Sequence, residues 1–159
     1  MPRFEPERIV AALNAADVAY VIVGGLAVAA HGVVRATRDL DLVPAPTAEN
    51  LDRLAATLSD LGAVHPIDET LTGQSLARPV SFKVRTRHGD VQVLNRMPAV
   101  PPFSELIATA ISVDLGGMPA PVCSLAALRT MKLASGRARD LVDVAELDEL
   151  DELDELHGG

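Results

Sequence analysis

Two aspartates interrupt the apolar run of residues 33–43, VVRATRDLDLV. Because successive side chains of a β-strand point to opposite faces, Asp39 and Asp41 would share one face while Leu40 and Leu42 occupy the other. The leucines then belong to the core, and the carboxylates form one patch. Two neighbouring carboxylates that are partly removed from water are costly unless cations or hydrogen bonds compensate. The run therefore predicts a buried strand with a positive charge beside its two acids.

The composition favours one domain and limits the kinds of partner. A chain of 159 residues with 48% hydrophobic composition can bury one core but is short for two. The net charge of −8 is uneven, because the chain from Asp140 onward contains nine acids and no Lys or Arg, whereas residues 1–139 are nearly neutral. This balance disfavours a broad phosphate-tracking surface. Three Phe, one Tyr and no Trp also argue against an aromatic platform for single-stranded bases.

The cysteine and hydropathy patterns indicate a cytoplasmic protein. The lone Cys123 excludes an intramolecular disulfide and is typical of a reducing compartment. The four histidines have no metal-ligand spacing with it or with each other, so we expect no zinc site. The 17 uncharged residues 18–34 are at the short limit for a membrane span and contain three glycines. We therefore expect a buried strand and short helix there, no membrane helix and, with no targeting signal visible, a cytoplasmic location.

The remaining elements follow from apolar spacing and from capping or turn residues. The pattern first predicts a helix around Ile9, Val10 and Leu13, and then a strand in VAYVIV that ends at Gly24 and Gly25. A short helix closed by Gly32 and the strand of 33–43 follow. We then predict a Thr47-capped helix that ends at Gly62, and an irregular segment or short strand over 63–78. Beyond it we predict a hairpin of VSFKVRT and VQVLN, a helix over about 104–110, a strand pair in ISVDLGGMPAPV, a Ser124-capped helix and a last helix from near Arg139. We expect an α/β domain with a small mixed sheet flanked by helices and a short helical C-terminal part.

The C-terminal segment contains the repeat ELDELDELDEL, with a leucine at every third residue. Three residues turn a helix by about 300°, so successive leucines drift around it and cannot form one apolar stripe. We therefore expect a frayed, solvated tail over 148–159. The alternative is a helix that binds a partner.

The order strand, Gly-Gly, short helix and acidic strand suits a metal-bound triphosphate. Glycines let backbone N–H groups approach phosphate oxygens, and a helix start adds a favourable dipole. Carboxylates such as Asp39 and Asp41 hold Mg²⁺ (or Mn²⁺) that bridges those oxygens, which would supply the missing positive charge.

Three separated blocks, VGGLAVAAHGVVRATRDLDLV, GDVQVL and MKLASGRARDLVDV, carry a family resemblance. In this order they resemble the abortive-infection type nucleotidyltransferases, toxins of bacterial toxin–antitoxin systems in the polymerase-β-like superfamily. The resemblance spans about 18–147 and implies a nucleotidyltransferase domain over 1–147, with its helical part from about 124. In the superfamily motif a serine follows the first glycine. In this sequence Gly25 replaces that serine, and more residues separate it from Asp39 than in the superfamily motif.

The resemblance implies transfer of a nucleoside monophosphate from an NTP to a hydroxyl, with pyrophosphate leaving. It implies an RNA acceptor, particularly a tRNA 3′ end, and a toxin checked by an antitoxin protein. The residues carried over are Asp39, Asp41 and Asp90 as metal ligands, Lys132 to neutralise the triphosphate, Asp140 as a further catalytic acid, with Asp143 as a weaker candidate, and Gly24, Gly25, Arg38 and Lys132 as nucleotide contacts.

Each of these residues also has a purely structural interpretation. Asp39 and Asp41 could pair with Arg35 and Arg38, and the glycines could form an ordinary turn. Asp90 follows a turn glycine, where acids are common. Lys132 could be a solvated lysine and Asp140 a helix-dipole partner. The alternating cations Lys83, Arg85 and Arg87 could contact RNA phosphates or protect a sheet edge, and Arg137 and Arg139 could contact phosphate or solvent.

Two other functions remain open at this point. One is nucleotidyl transfer to a small molecule or to a protein side chain, for which the same acids would serve. The other is a non-catalytic nucleotide-binding or antitoxin-like partner protein that retains the fold.

Overall fold

The fold is a six-stranded mixed sheet with helices packed against it, as a computed structural model of the chain shows for residues 3–34, 36–64, 70–79 and 81–157. The helices are α1 Pro6–Ala15, α2 Gly24–Ala30, α3 Ala48–Asp60, α4 Gly73–Leu76, α5 Phe103–Thr109, α6 Leu125–Ser135 and α7 Ala138–His157. The strands are β1 Tyr20–Val23, β2 Asp39–Pro44, β3 Ser81–Thr86, β4 Gly89–Leu94, β5 Ile111–Leu115 and β6 Met118–Val122. The predicted α/β class with a mixed sheet is confirmed.

Strand β2 lies inside the sheet, whose order is β3-β4-β2-β1-β6-β5. It runs antiparallel to β1, with Val23 opposite Asp41. On its other side it runs parallel to β4, which sets Asp90 beside Asp39 and Gln92 beside Asp41. The hairpins β3–β4 and β5–β6 complete the two ends of the sheet. Asp41 therefore has a strand on both sides, whereas Asp39 is paired only with β4.

The core forms where the apolar faces of the helices meet the sheet. Strand β1 is buried along its whole length, and Leu40 and Leu42 of β2 are fully buried, as the alternation predicts. The helices add Ile9, Val10 and Leu13 from α1, Leu51, Leu54 and Leu58 from α3, and Leu128 from α6. The leucines between the aspartates thus anchor β2 and turn both carboxylates to the opposite face.

The predicted helix starts are confirmed at Thr47 and Ser124. Thr47 Oγ1 accepts from the Asn50 backbone N–H at 3.3 Å, and Ser124 Oγ accepts from that of Ala127 at 3.1 Å. Each side chain satisfies an N–H that the first helical turn leaves unpaired. Helix α4 was not predicted, although Thr72 and Ser75 form a reciprocal capping box around it.

The acidic strand is shorter than the sequence predicts. Pairing with β1 reaches only to Asp41 and pairing with β4 only to Asp39. Residues before Asp39 therefore have no ladder partner in the described part of the chain, and Val34 is fully exposed. The strand begins at Asp39 because its neighbours end there. Arg35 lies outside the described residues, as do residues 65–69 of the predicted irregular segment.

Helix α7 continues through the DEL repeat to His157, in place of the expected frayed tail. Leucine and glutamate favour helix, and neither Gly nor Pro interrupts this segment. The drift of the leucines is confirmed, because Leu147 is 1% exposed, Leu153 50% and Leu156 78%. Among the described residues, no helix is long and apolar enough to cross a bilayer.

Candidate active site

Gly24 lies in direct contact with the second aspartate of β2. Its φ is +72°, and a Cβ atom at this position would lie 2.0 Å from Asp41 Oδ2. Only glycine adopts this backbone conformation cheaply and leaves room for the carboxylate. The turn from β1 into α2 is therefore built around Asp41.

Asp41 is a partly buried acid with an incomplete set of partners. Its Oδ1 atom is buried and has no hydrogen-bond partner among the described residues. Burial, followed by the negative charge of Asp39, raises the pKa of Asp41 to about 6, against the opposing charges of Lys132, Lys83 and Arg137. A buried polar atom without a partner is costly, and a bound cation is one way to satisfy it.

Lys83 supplies part of the positive charge that the sequence requires beside the acids. Its Nζ atom donates to Asp39 Oδ2 at 3.1 Å and lies 3.9 Å from Asp90 Oδ2. Arg85 Nε lies 3.5 Å from Asp90 Oδ1. Both of these cations come from β3, and Arg38 is exposed. Arg87 instead donates to the Asp60 backbone carbonyl oxygen at 2.8 Å.

The turn between α6 and α7 holds Lys132 in a network of buried acids. Lys132 Nζ donates to Asp140 Oδ1 at 2.9 Å and to Asp143 Oδ2 at 3.0 Å. Asp140 Oδ2 also accepts from Ser135 Oγ and from Arg137 Nε, the latter at 2.8 Å. Burial disfavours the charged form of Asp140, but hydrogen bonds from Ser135, Lys132 and Arg137 outweigh it and lower its pKa to about 2. The network fixes the position of the Lys132 ammonium group.

A cavity of about 530 Å³ joins these two groups of residues. Its polar lining comprises Gly24, Gly25, Thr37, Arg38, Asp39, Asp41, Lys83, Gln92, Lys132, Arg137, Arg139 and Asp140. All the predicted site residues line it except Asp90 and the weaker candidate Asp143. Asp90 lies in an adjacent cavity of about 380 Å³ with Lys83, Arg85, Val64 and Val84.

Gln92 and the network role of Asp140 were not predicted from the sequence. Gln92 follows Asp90 by two residues in GDVQVL, so strand alternation was the signal that places both on one face. Nothing in the sequence indicates which of the two lies beside Asp41, because that depends on the register between β2 and β4.

A divalent cation fits the carboxylate pair, since Asp41 has a buried oxygen without a partner and Asp39 shares its face. Asp39 and Asp41 are the residues able to hold it. Within the described ranges, no group of three or more His, Cys, Asp or Glu side chains is arranged to hold a metal ion. The assignment of Asp90 as a third metal ligand stays a prediction.

Comparison with known proteins connects this arrangement to nucleotidyl transfer. A sequence model of the aminoglycoside-2''-adenylyltransferase family matches residues 7–147. No protein of curated function matches the chain. The matched range contains every predicted site residue, from Gly24 to Asp140.

Solved structures of nucleotidyltransferases share the fold. One is an antigenic nucleotidyltransferase-like protein from Paracoccidioides brasiliensis, 20% identical over 94% of this chain and 79% of that chain, with a TM-score of 0.62. A lincosamide antibiotic adenylyltransferase with lincomycin bound is 18% identical over 91% of this chain and 94% of that chain, with a TM-score of 0.56. ANT(2'')-Ia in complex with adenylyl-2''-tobramycin is 16% identical over 91% of this chain and 95% of that chain, with a TM-score of 0.50.

The superfamily and the enzyme class expected from the sequence are confirmed, whereas the family that matches is not the abortive-infection toxin family. The fold is the polymerase-β-like nucleotidyltransferase fold. The chain belongs to the aminoglycoside-2''-adenylyltransferase family and is a nucleotidyltransferase.

Proposed function

We propose that this enzyme transfers a nucleoside monophosphate from a Mg²⁺-bound NTP to the hydroxyl of a small molecule. The observation that carries the proposal is the Asp41 carboxylate, held against Gly24 with one buried oxygen unpartnered, at the wall of a cavity that also contains several cations. A bound metal ion would satisfy the unpartnered carboxylate oxygen, and the polyphosphate would balance the charge of the cations.

The residues of the large cavity would have different roles in the reaction. Asp39 and Asp41 would hold the Mg²⁺, which when bound polarises phosphoryl oxygens and favours loss of the acceptor hydroxyl proton. Lys132, with Arg38, Arg137 and Arg139 in the same cavity, would bind the triphosphate and stabilise the charge that develops on the leaving group. Gly24 and Gly25 would let backbone N–H groups approach phosphate oxygens.

The transfer exchanges one bond at the α-phosphorus for another. The acceptor hydroxyl oxygen forms a bond to this phosphorus and releases its proton to solvent. The bond from the phosphorus to the bridging oxygen breaks, and pyrophosphate leaves with the electron pair. Fixed cations help because they stabilise the transferring group without rearranging during the reaction.

A small acceptor is supported by the family and by the adjacent cavity. The matching family is described by an aminoglycoside acceptor, and two of the similar structures contain tobramycin or lincomycin groups. The cavity of about 380 Å³ shares Lys83 with the large one, and this size is typical of pockets that take small molecules. We place the acceptor there, next to Asp39.

RNA is the second candidate acceptor. A toxin role would follow only if RNA is the acceptor. Lys83 and Arg85 lie in the adjacent cavity with about half of each side chain exposed (52% and 58%), on edge strand β3. Cations so placed suit a phosphate next to the acceptor hydroxyl, as at a tRNA 3′ end. A cognate antitoxin would then act by blocking this face.

Label transfer tests the proposal. The protein is incubated with Mg²⁺ and each α-labelled NTP in turn, separately with aminoglycosides, lincosamides and total cellular RNA. Asp41→Asn is the test variant, and Asp151→Asn, in the exposed end of α7, is the matched control. We expect label on a small acceptor from wild type and control, and none from Asp41→Asn. Label on RNA alone would favour the second candidate, and equal labelling by Asp41→Asn would overturn both.

A further inference from the structure

The register between β2 and β4 puts an amide where the sequence suggests an acid. Gln92 is the Cα partner of Asp41, whereas Asp90 is the partner of Asp39. Neighbouring strands lie about 4.8 Å apart, and paired residues of parallel strands present their side chains on the same face. Gln92 is therefore the β4 side chain beside the buried aspartate.

The surroundings of the two β4 residues differ. Asp90 faces Lys83 and Arg85, whose nitrogens lie 3.9 Å and 3.5 Å from its carboxylate oxygens, in the adjacent cavity. Asp90 therefore faces two cations of β3, of which Lys83 also contacts Asp39. Gln92 lines the large cavity together with Asp39 and Asp41.

One end of the Gln92 amide is fixed by β3. Its Nε2 atom donates to Ser81 Oγ, which lies across the β3–β4 hairpin. Since the nitrogen and oxygen of a carboxamide point in different directions, this bond leaves Oε1 as the acceptor for the cavity. An amide oxygen is an ordinary ligand for a hard divalent cation.

A neutral ligand suits this position for electrostatic reasons. Asp41 has one buried oxygen without a partner and lines the same cavity as Asp39, so a third carboxylate beside it would add a further negative charge at close range. An amide oxygen adds a coordination bond without adding charge.

We propose that Gln92 Oε1 is the third protein ligand of the cation held by Asp39 and Asp41, and that Asp90 belongs to the acceptor side of the site. The inference rests on the proposed function, because it concerns the same cation. It makes Ser81 a positioning residue, since its hydroxyl orients the amide.

Metal binding can be measured without the reaction. Free Mn²⁺ is followed by electron paramagnetic resonance during titration of the full chain, with a non-hydrolysable NTP analogue present. Gln92→Leu should weaken Mn²⁺ binding about tenfold or more, a loss typical of a missing ligand interaction. Gln92→Glu should keep or tighten binding at pH 8. Gln74→Leu, exposed on α4, is the matched control and should bind as wild type does.

Further variants separate this inference from the proposed function. Ser81→Ala should weaken binding less than Gln92→Leu, because the amide remains but is no longer oriented. If Asp90→Asn weakens Mn²⁺ binding while Gln92→Leu does not, Asp90 is the third ligand and the inference is overturned. If Asp41→Asn binds Mn²⁺ as wild type does, the proposed function itself fails. Thermal unfolding of each variant identifies any loss that comes from misfolding.

Discussion

Among single residues, the contact between Gly24 and Asp41 lowers the stability of the empty protein but shapes the proposed binding site. The glycine adopts a positive φ so that a carboxylate can lie against the backbone, and the carboxylate is buried with an oxygen unsatisfied. Both features cost free energy in the empty protein. Residues retained under such strain commonly belong to functional sites, in agreement with the assignment of this cavity.

Substitution of Gly24 by alanine should abolish activity. The new Cβ would overlap Asp41 Oδ2 and displace it, and misplacing a catalytic group by about 1 Å costs about 100-fold in rate. Gly117→Ala is the control, because Gly117 also has a positive φ (+89°) but no atom within 4 Å of its Cβ position. It should lose about 1 kcal/mol in urea unfolding and keep its activity. Equal activity of the two variants would contradict the role of this contact.

Asp41→Asn should stabilise the metal-free protein at neutral pH. The folded-state pKa of Asp41 is raised to about 6, so folding favours the protonated acid. The stability of the wild type is therefore reduced as the pH rises from about 4 to about 6 and the acid ionises. Asparagine does not ionise, so the variant does not lose stability over this pH range. Its free energy of unfolding should exceed that of the wild type by about 2 kcal/mol at pH 7.5, with little difference at pH 4.

Urea unfolding at both pH values, without metal, measures the difference. Saturating Mn²⁺ with an NTP analogue should stabilise the wild type and leave Asp41→Asn unchanged, because ligands stabilise only the state that binds them. A variant that is less stable than the wild type at pH 7.5 would show that Asp41 is a structural acid.

The acid pair could be recognised from the sequence because the residues that identify it are neighbours in the chain. The spacing of Asp39 and Asp41 and the leucines between them fix which side chains share a face. The choice between Asp90 and Gln92 could not be made this way. A strand some 50 residues away in sequence must first pair with β2 in one register, and a shift of one residue would reverse its faces.

At the scale of elements, the turn between α6 and α7 is a rigid support for Lys132. Gly136 ends α6 in a left-handed conformation (φ +64°), and Asp140 in the first turn of α7 accepts from Ser135, Arg137 and Lys132. With both oxygens in these bonds, Asp140 acts on the cavity through Lys132.

Lys132→Met should destabilise the protein strongly and raise the KM for the NTP. It leaves the buried Asp140 and Asp143 without their shared cation, and breaking a buried ion pair costs about 3–5 kcal/mol. Adding Asp143→Asn to this variant should recover part of the stability but none of the NTP binding. Urea unfolding and initial rates measure the two effects. A double variant less stable than Lys132→Met would contradict the network.

The capped starts of α3 and α6 were predicted well. Thr47 and Ser124 are capping residues that precede apolar periodic segments, so both helix starts could be read directly. The start of β2 could not, because it is set by where β1 and β4 stop pairing rather than by its own residues. The helical DEL repeat was mispredicted because an absent apolar stripe was taken as an absent helix, although its residues favour one.

At the scale of the whole molecule, the sheet order decides which charges meet. The order β3-β4-β2-β1 brings Lys83 of one hairpin next to Asp39, and α6 brings Lys132 to the same cavity from the end of the chain. None of these neighbours follows from local patterns. The resemblance to known nucleotidyltransferases supplied this arrangement in outline, which is why seven of the eight predicted site residues line one cavity.

Removing residues 151–159 should leave folding and activity unchanged. Residues 151–157 are exposed, so they bury little apolar surface in the domain. Leu147→Ala, in the same helix, should instead cost about 2–5 kcal/mol because Leu147 is fully buried. Thermal unfolding and label transfer on both variants test the contrast. A large loss on truncation would show that the end of α7 packs against a partner or a second copy.

We expect a divalent cation to bind between Asp39 and Asp41 beside Gly24. Crystals soaked with Mn²⁺ and a non-hydrolysable NTP analogue, measured at the manganese absorption edge, test it most directly. We predict an anomalous peak bonded to both carboxylates, with the phosphates against Lys132. A site with no peak, in which Lys83 and the neighbouring arginines alone contact the two acids, would contradict the account.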